Sequence, residues 1–206
     1  RRFWTMLAHF HGQVWNAAEL ARSLGASEPT ARRYLDILTS MFLARQLQPW
    51  FENLGKRQVK APKIYVRDSG LLHALLGLDS FHALEGHPKV GASWEGFALE
   101  QTLRVTGDSE AYFWATHSGA ELDLLVHWGG KRWGFEFKYS GGPAMTRSMH
   151  VALEDLKPER IFVIYTGTDV YPLHERVEAL PLAQLRARLE HFGAGKGPRR
   201  IRKRVA

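Results

Sequence analysis

Cysteine is absent from the 206 residues, which excludes a disulfide framework and any thiolate metal site and leaves oxygen and histidine as metal donors. No apolar run reaches the roughly 18 residues that a membrane span needs, and no basic segment followed by an apolar one opens the chain. The expectation is a soluble, cytoplasmic protein with no membrane partner. A Gly-rich loop ending in Gly-Lys-Ser or Gly-Lys-Thr is missing as well, so no nucleotide site is expected in this stretch. There is no internal repeat, and the ten histidines are scattered without metal-ligand spacing.

What is present is enough apolar material for a full core. Hydrophobic residues make up 45% of the chain and charged residues 24%, a balance that excludes wholesale disorder. Lysine and arginine total 28 against 21 acidic residues, a formal charge of +7 that favours a polyanionic partner such as DNA. Six of those cations fall in the last eleven residues, so residues 193–206 read as a basic tail. The chain starts at Arg1 in amphipathic sequence; it reads as the C-terminal part of something longer, and a homo-oligomer is compatible with it.

The hydrophobic period divides the chain. In "WNAAELARSLG", Asn16 is placed to cap a helix that Gly25 ends, with Ala17, Leu20, Ala21 and Leu24 at helical spacing. Ser27 then caps a second helix with Pro29 in its first turn and Ala31, Tyr34, Leu35, Leu38 and Phe42 as its inner stripe. Phe42 to Trp50 and "KIYVRD" read as paired strands with the basic loop "ENLGKRQVKAP" between them. Two short helices, a tight turn and such a wing make a winged helix-turn-helix over residues 1–80. Arg32, Arg33, Lys56, Arg57, Lys60 and Lys63 are its candidate DNA contacts.

"DSGLLHALLGL" is a short helix, and "EGHPKV" is a loop that marks a boundary. From there the order is a helix from about 92 to 105, with Trp94, Phe97, Ala98, Gln101 and Leu103 near its packed side, then three strands, a helix, a strand and a final helix. The strands are "EAYFWAT", "ELDLLVHW" and "RWGFEFKYS", with Gly129 and Gly130 closing the last two into a hairpin. "MTRSMHVALEDL", "RIFVIYTG" and "PLAQLRARLEHF" supply the rest.

Strand alternation places Glu121, Asp123 and Leu125 on one face of their strand and Leu122, Leu124 and Val126 on the other, while Glu136 and Lys138 share a face of the next. The hairpin sets Asp123 beside Glu136. Two carboxylates in a half-buried site repel unless a proton or cation lies between them, and an all-oxygen set favours Mg²⁺ or Mn²⁺. Lys138 is placed to orient a water or to meet charge building on a phosphoryl group. The competing reading is an exposed strand face with an ordinary Glu136–Lys138 ion pair. Glu121 is assigned a supporting place.

An Asp followed by Glu-x-Lys in the next strand, with an acid on the preceding helix, resembles the PD-(D/E)xK nuclease superfamily. The matching residues are Asp123, Glu136, Lys138 and, in "SWEGFALEQ", Glu95; Leu122 stands where the superfamily has proline before the Asp. A longer resemblance covers most of the chain. "LARSLGASEPTARRYLDILTSMFLARQLQPW", "KRQVKAPKIYVRDSGLL", "SWEGFALEQ", "SGAELDLLV" and "FEFKYS" are similar, in this order, to the C-terminal domain of unknown function of prokaryotic AAA-type ATPases. That resemblance implies an α/β fold in which a winged helix-turn-helix precedes a restriction-endonuclease-like domain with a central mixed sheet, here at 86–192, and an ATPase module N-terminal to both. The expected activity is that of a Mg²⁺- or Mn²⁺-dependent DNA endonuclease, with Asp123 and Glu136 on the metal. The alternative is a non-cutting DNA- or protein-binding module that regulates the ATPase.

Overall fold

A computed structural model describes residues 2–52, 55, 57–139 and 141–192. The chain runs α1 (Arg2–His9), β1 (Gln13–Val14), α2 (Ala17–Leu24), α3 (Glu28–Ser40), β2 (Ala44–Pro49), β3 (Lys63–Val66), α4 (Ser69–Leu76), α5 (Phe81–Glu85) and α6 (Val90–Thr106). It continues through β4 (Ala111–Ala115), β5 (Glu121–Trp128), β6 (Lys131–Lys138), α7 (Arg147–Asp155), β7 (Arg160–Tyr165), β8 (Tyr171–His174), β9 (Val177–Pro181), a 3₁₀ turn at Leu182–Gln184 and α8 (Leu185–His191). The fold is mixed α/β, with eight α-helices among the described residues. None of these helices is long and apolar enough to cross a membrane.

The caps form as the local sequence requires. Asn16 accepts from the Glu19 N–H, and Gly25 closes α2 at φ 66°; Ser27 accepts from the Thr30 N–H to start α3. Each side chain satisfies an amide that the first helical turn leaves without a partner. Asp68 and Thr146 do the same for α4 and α7. The inner stripe of α3 is narrower than its periodicity suggests. Ala31, Leu35 and Leu38 are buried, whereas Tyr34 is 45% and Phe42 75% exposed. The helix stops at Ser40, and Phe42 turns out of it at φ 59°. The packed face of α6 holds the expected Ala98 and Leu103 together with Ser93, Gly96, Leu99 and Glu100, all buried, whereas Phe97 faces outward.

The nine strands form one sheet in the order β1-β3-β2-β4-β5-β6-β7-β9-β8. β1, β3 and β2 are antiparallel, as are β4, β5 and β6, while β6, β7 and β9 run parallel. The sheet crosses the expected boundary between the two halves, because β2 pairs in parallel with β4 through Gln48–Tyr112 and Pro49–Phe113. The basic loop after β2 is not a free wing where it is described. Val59 donates to Ala115 O, His117 donates to Arg57 O, and Gln58 bridges to Thr116. The β8–β9 hairpin and β1 were not legible as strands; β9 is nevertheless fully buried against β7.

Helices cover both faces of the central sheet. α6 and α8 pack Leu99, Leu103, Leu185 and Leu189 on one side with Phe135, Phe162 and Ile164, while α7 packs Met149, Ala152 and Leu153 on the other with Ile161 and Val163. β7 is therefore buried on both faces, which is why it reads as an uninterrupted apolar run. A separate cluster, including Leu7, Leu20, Leu35 and Ile64, fills the space under α1 to α3.

Candidate functional site

The β5–β6 hairpin turns through Gly129 and Gly130 at φ 61° and 77°, backbone values that glycine adopts without strain. Pairing runs from Trp128–Lys131 to Leu124–Phe135. Beyond Leu124 the ladder ends, and the Asp123 side chain enters the fork: its Oδ2 accepts the Phe137 N–H at 3.0 Å. Against β4, the single residue between Tyr112 and Trp114 opposes the two between Leu125 and Leu122, a register shift that breaks the alternation. Leu122 and Leu125 consequently pack together with α7, while Leu124 and Val126 pack with α6. The expected face of Glu121, Asp123 and Leu125 does not survive this shift.

Burial at the fork is nearly complete, with Asp123 4% and Glu136 3% exposed. Lys138 Nζ lies 3.1 Å from Glu136 Oε2, and Glu136 Oε1 is buried without a hydrogen-bond partner. From α6, Glu95 Oε1 accepts the Tyr65 hydroxyl at 2.5 Å and lies 3.4 Å from Lys63 Nζ. Lys63 Nζ is also 3.5 Å from Asp123 Oδ1. The structure thus brings Glu95, Asp123, Glu136 and Lys138 to one end of the hairpin and adds Lys63 and Tyr65 to them. Glu121 is exposed on the rim, from where its charge acts on Lys63, Glu136 and Lys138.

Burial dominates the titration of these groups. It raises the Glu95 pKa to about 7, helped by the Asp123 charge and opposed by Lys63. Burial and then Asp123 hold Glu136 well above the usual carboxylate range, against the pull of Lys138. For Lys63, burial favours the neutral amine, but Glu95, Asp123, Glu121 and Glu136 outweigh it and raise the pKa above its ordinary value. The same contest raises Lys138, with Glu136 and Asp123 its main partners. Burial, with Glu95 and Asp123 adding to it, keeps the Tyr65 phenol protonated far above its normal range.

Lys63 is a correction to the expected DNA-facing set. It is 6% exposed, and its ammonium is committed to Glu95 and Asp123. Arg32 and Arg33 are exposed on α3, and Arg57 and Lys60 are exposed on the loop before β3. With Phe51 and His117, the latter two line a groove of about 610 Å³. Lys56 lies outside the described residues, as does the tail 193–206. Lys63 and Tyr65 had a visible signal, a lysine and a tyrosine on one face of a short apolar strand. Nothing local tells which carboxylates they meet.

Among the described residues no three histidine, aspartate or glutamate side chains group as metal donors. What the fork offers is a pair of hard oxygens, Glu136 Oε1 and Asp123 Oδ1. That fits an ion such as Mg²⁺, which is commonly held by one or two carboxylates together with water and phosphate oxygens.

Residues 1–82 match a family described as "Domain of unknown function (DUF8612)", and residues 90–185 match "Domain of unknown function (DUF4143)". The uncharacterized proteins Mb2031c of Mycobacterium bovis and Rv2008c of Mycobacterium tuberculosis are each 53% identical to the chain over 185 residues, which is 90% of this chain and 42% of theirs. The chain therefore spans less than half the length of these curated relatives. Among solved structures, protein VC1899 from Vibrio cholerae aligns over 96% of this chain and 52% of its own, at 14% identity and a TM-score of 0.29.

Proposed function

We propose that the chain is a nucleic-acid-processing module with a restriction-endonuclease-like site at the β5–β6 fork, preceded by a winged helix-turn-helix and belonging to a longer AAA-type ATPase. The observation that carries this reading is the meeting of Asp123 with the Glu136–Lys138 pair where the hairpin ladder ends, with one buried carboxylate oxygen left without a partner. Asp123 and Glu136 would hold Mg²⁺ or Mn²⁺, which when bound supplies Lewis-acid stabilisation of a phosphoryl oxygen and a more acidic water. Lys138, whose side chain is 41% exposed, presents its ammonium to the phosphoryl group from the solvent side. Glu95 holds Lys63 and Tyr65 in place at the back. Arg32, Arg33, Arg57 and Lys60 are the phosphate contacts, and the ATPase module would lie outside this chain.

The test is cleavage of supercoiled plasmid and branched DNA with Mg²⁺ or Mn²⁺, comparing the chain with its Asp123→Ala and Lys138→Ala variants. Cutting that both substitutions abolish while DNA binding persists supports the nuclease reading. A second reading, a non-cutting DNA- or protein-binding module for the ATPase, is favoured by the Lys63 ammonium lying against Glu95 and Asp123. DNA binding with no cutting under any of these conditions supports that one.

A further inference from the structure

Lys63 enters the fork from β3, in the N-terminal stretch, and not from the helix and strands that carry the carboxylates. At 3.4 Å from Glu95 Oε1 and 3.5 Å from Asp123 Oδ1, its ammonium is longer from both than the 2.7–2.9 Å usual for a docked ammonium–carboxylate bond. It is shared between two acids. Asp123 Oδ2 accepts the Phe137 N–H, and Lys63 faces the other oxygen, Oδ1. The ring of Phe113, 5.7 Å from the ammonium, gives it a further favourable surface.

We propose that Lys63 is a resident cation that blocks divalent-ion binding at the fork, so that a metal reaches Asp123 only when the Lys63 ammonium withdraws. This rests on reading Asp123 and Glu136 as the metal pair. An ammonium beside the shared carboxylate already neutralises it and repels a second cation. The flexible four-carbon stem of lysine lets the ammonium leave Asp123 for solvent without moving the backbone. Because the blocking group sits on β3, the state of the metal site is coupled to the N-terminal half of the chain, the half that carries the candidate DNA contacts on α3 and its loop.

The experiment is Mn²⁺ binding, followed by electron paramagnetic resonance and calorimetry without DNA, for the wild-type chain, Lys63→Met, and Lys63→Met combined with Asp123→Ala. Removing the ammonium while leaving both carboxylates is expected to tighten Mn²⁺ binding by at least about tenfold, and adding Asp123→Ala is expected to abolish the gain. Unchanged or weaker binding by Lys63→Met overturns the proposal, as does a gain that survives loss of Asp123. Should Lys63→Met fail to fold, Lys63→Gln takes its place, and acylation of the wild-type amine, read by mass spectrometry, gives an independent measurement. Lys63 is expected to be modified faster at saturating Mn²⁺, and an unchanged or slower rate overturns the proposal. Tight Mn²⁺ binding by Lys63→Met without DNA cleavage leaves the block standing and removes the nuclease reading. DNA cleavage by the wild type with Mn²⁺ affinity unaltered in Lys63→Met does the reverse.

Discussion

Arg45 grips Glu100 with two edges of its guanidinium, Nε to Oε1 at 2.5 Å and Nη2 to Oε2 at 3.2 Å, across 55 residues of sequence. Arg67 holds the same carboxylate from the other side at 3.0 Å. This joins β2 and the end of β3 to α6, so the seam between the two halves is ionic as well as sheet-paired. Glu100→Ala leaves both arginines without their shared carboxylate and is expected to cost about 3 kcal/mol, measured as a lower urea midpoint.

Gly96 is required where α6 crosses His11. A Cβ there would stand 2.4 Å from His11 Nε2 and 2.6 Å from its Cε1. The ring cannot yield, because its Nδ1 accepts the Val66 N–H and its Nε2 bonds the Ala92 carbonyl, both at 3.0 Å. Gly96→Ala is expected to destabilise by about 1–3 kcal/mol through overpacking, seen as a fall in the thermal midpoint.

The same histidine sets a pH dependence. Burial pushes its pKa from 6.5 down to about 4, against the Ala92 carbonyl and with Lys89 and His73 adding to the fall. The unfolded chain takes up this proton near 6.5 and the folded chain only near 4. His11 therefore leaves stability intact above about pH 6.5 and removes it progressively as the pH falls to about 4. The loss is on the order of 3 kcal/mol. Urea titrations at pH 7.5, 6 and 5 are expected to show it, and His11→Gln is expected to flatten this part of the profile.

DNA affinity is expected to fall steeply with salt, and the slope reports phosphate contacts at about 0.9 per contact. Arg57→Ala with Lys60→Ala is expected to reduce the slope by about two, and Arg32→Ala with Arg33→Ala to do the same. Filter binding across a salt series measures both. A slope unmoved by either pair removes DNA as the partner of these surfaces.

What the sequence by itself determined is the set of features whose partners lie within a few residues. Asn16, Ser27, Asp68 and Thr146 cap helices because the amides they satisfy are three residues on, and Gly129 and Gly130 turn the hairpin because the required φ is a property of the residue itself. The placement of Asp123, Glu136 and Lys138 at one end of the hairpin follows from that turn. Tertiary structure alone decided the face on which Asp123 lies, because the register shift belongs to the pairing of β5 with β4 and leaves no local mark. It also decided that Lys63 is a buried counter-ion and not a phosphate contact. A lysine in an apolar strand goes to whichever carboxylates the fold brings within reach, and those of Lys63 come from α6 and β5, elements that only the completed sheet sets beside β3.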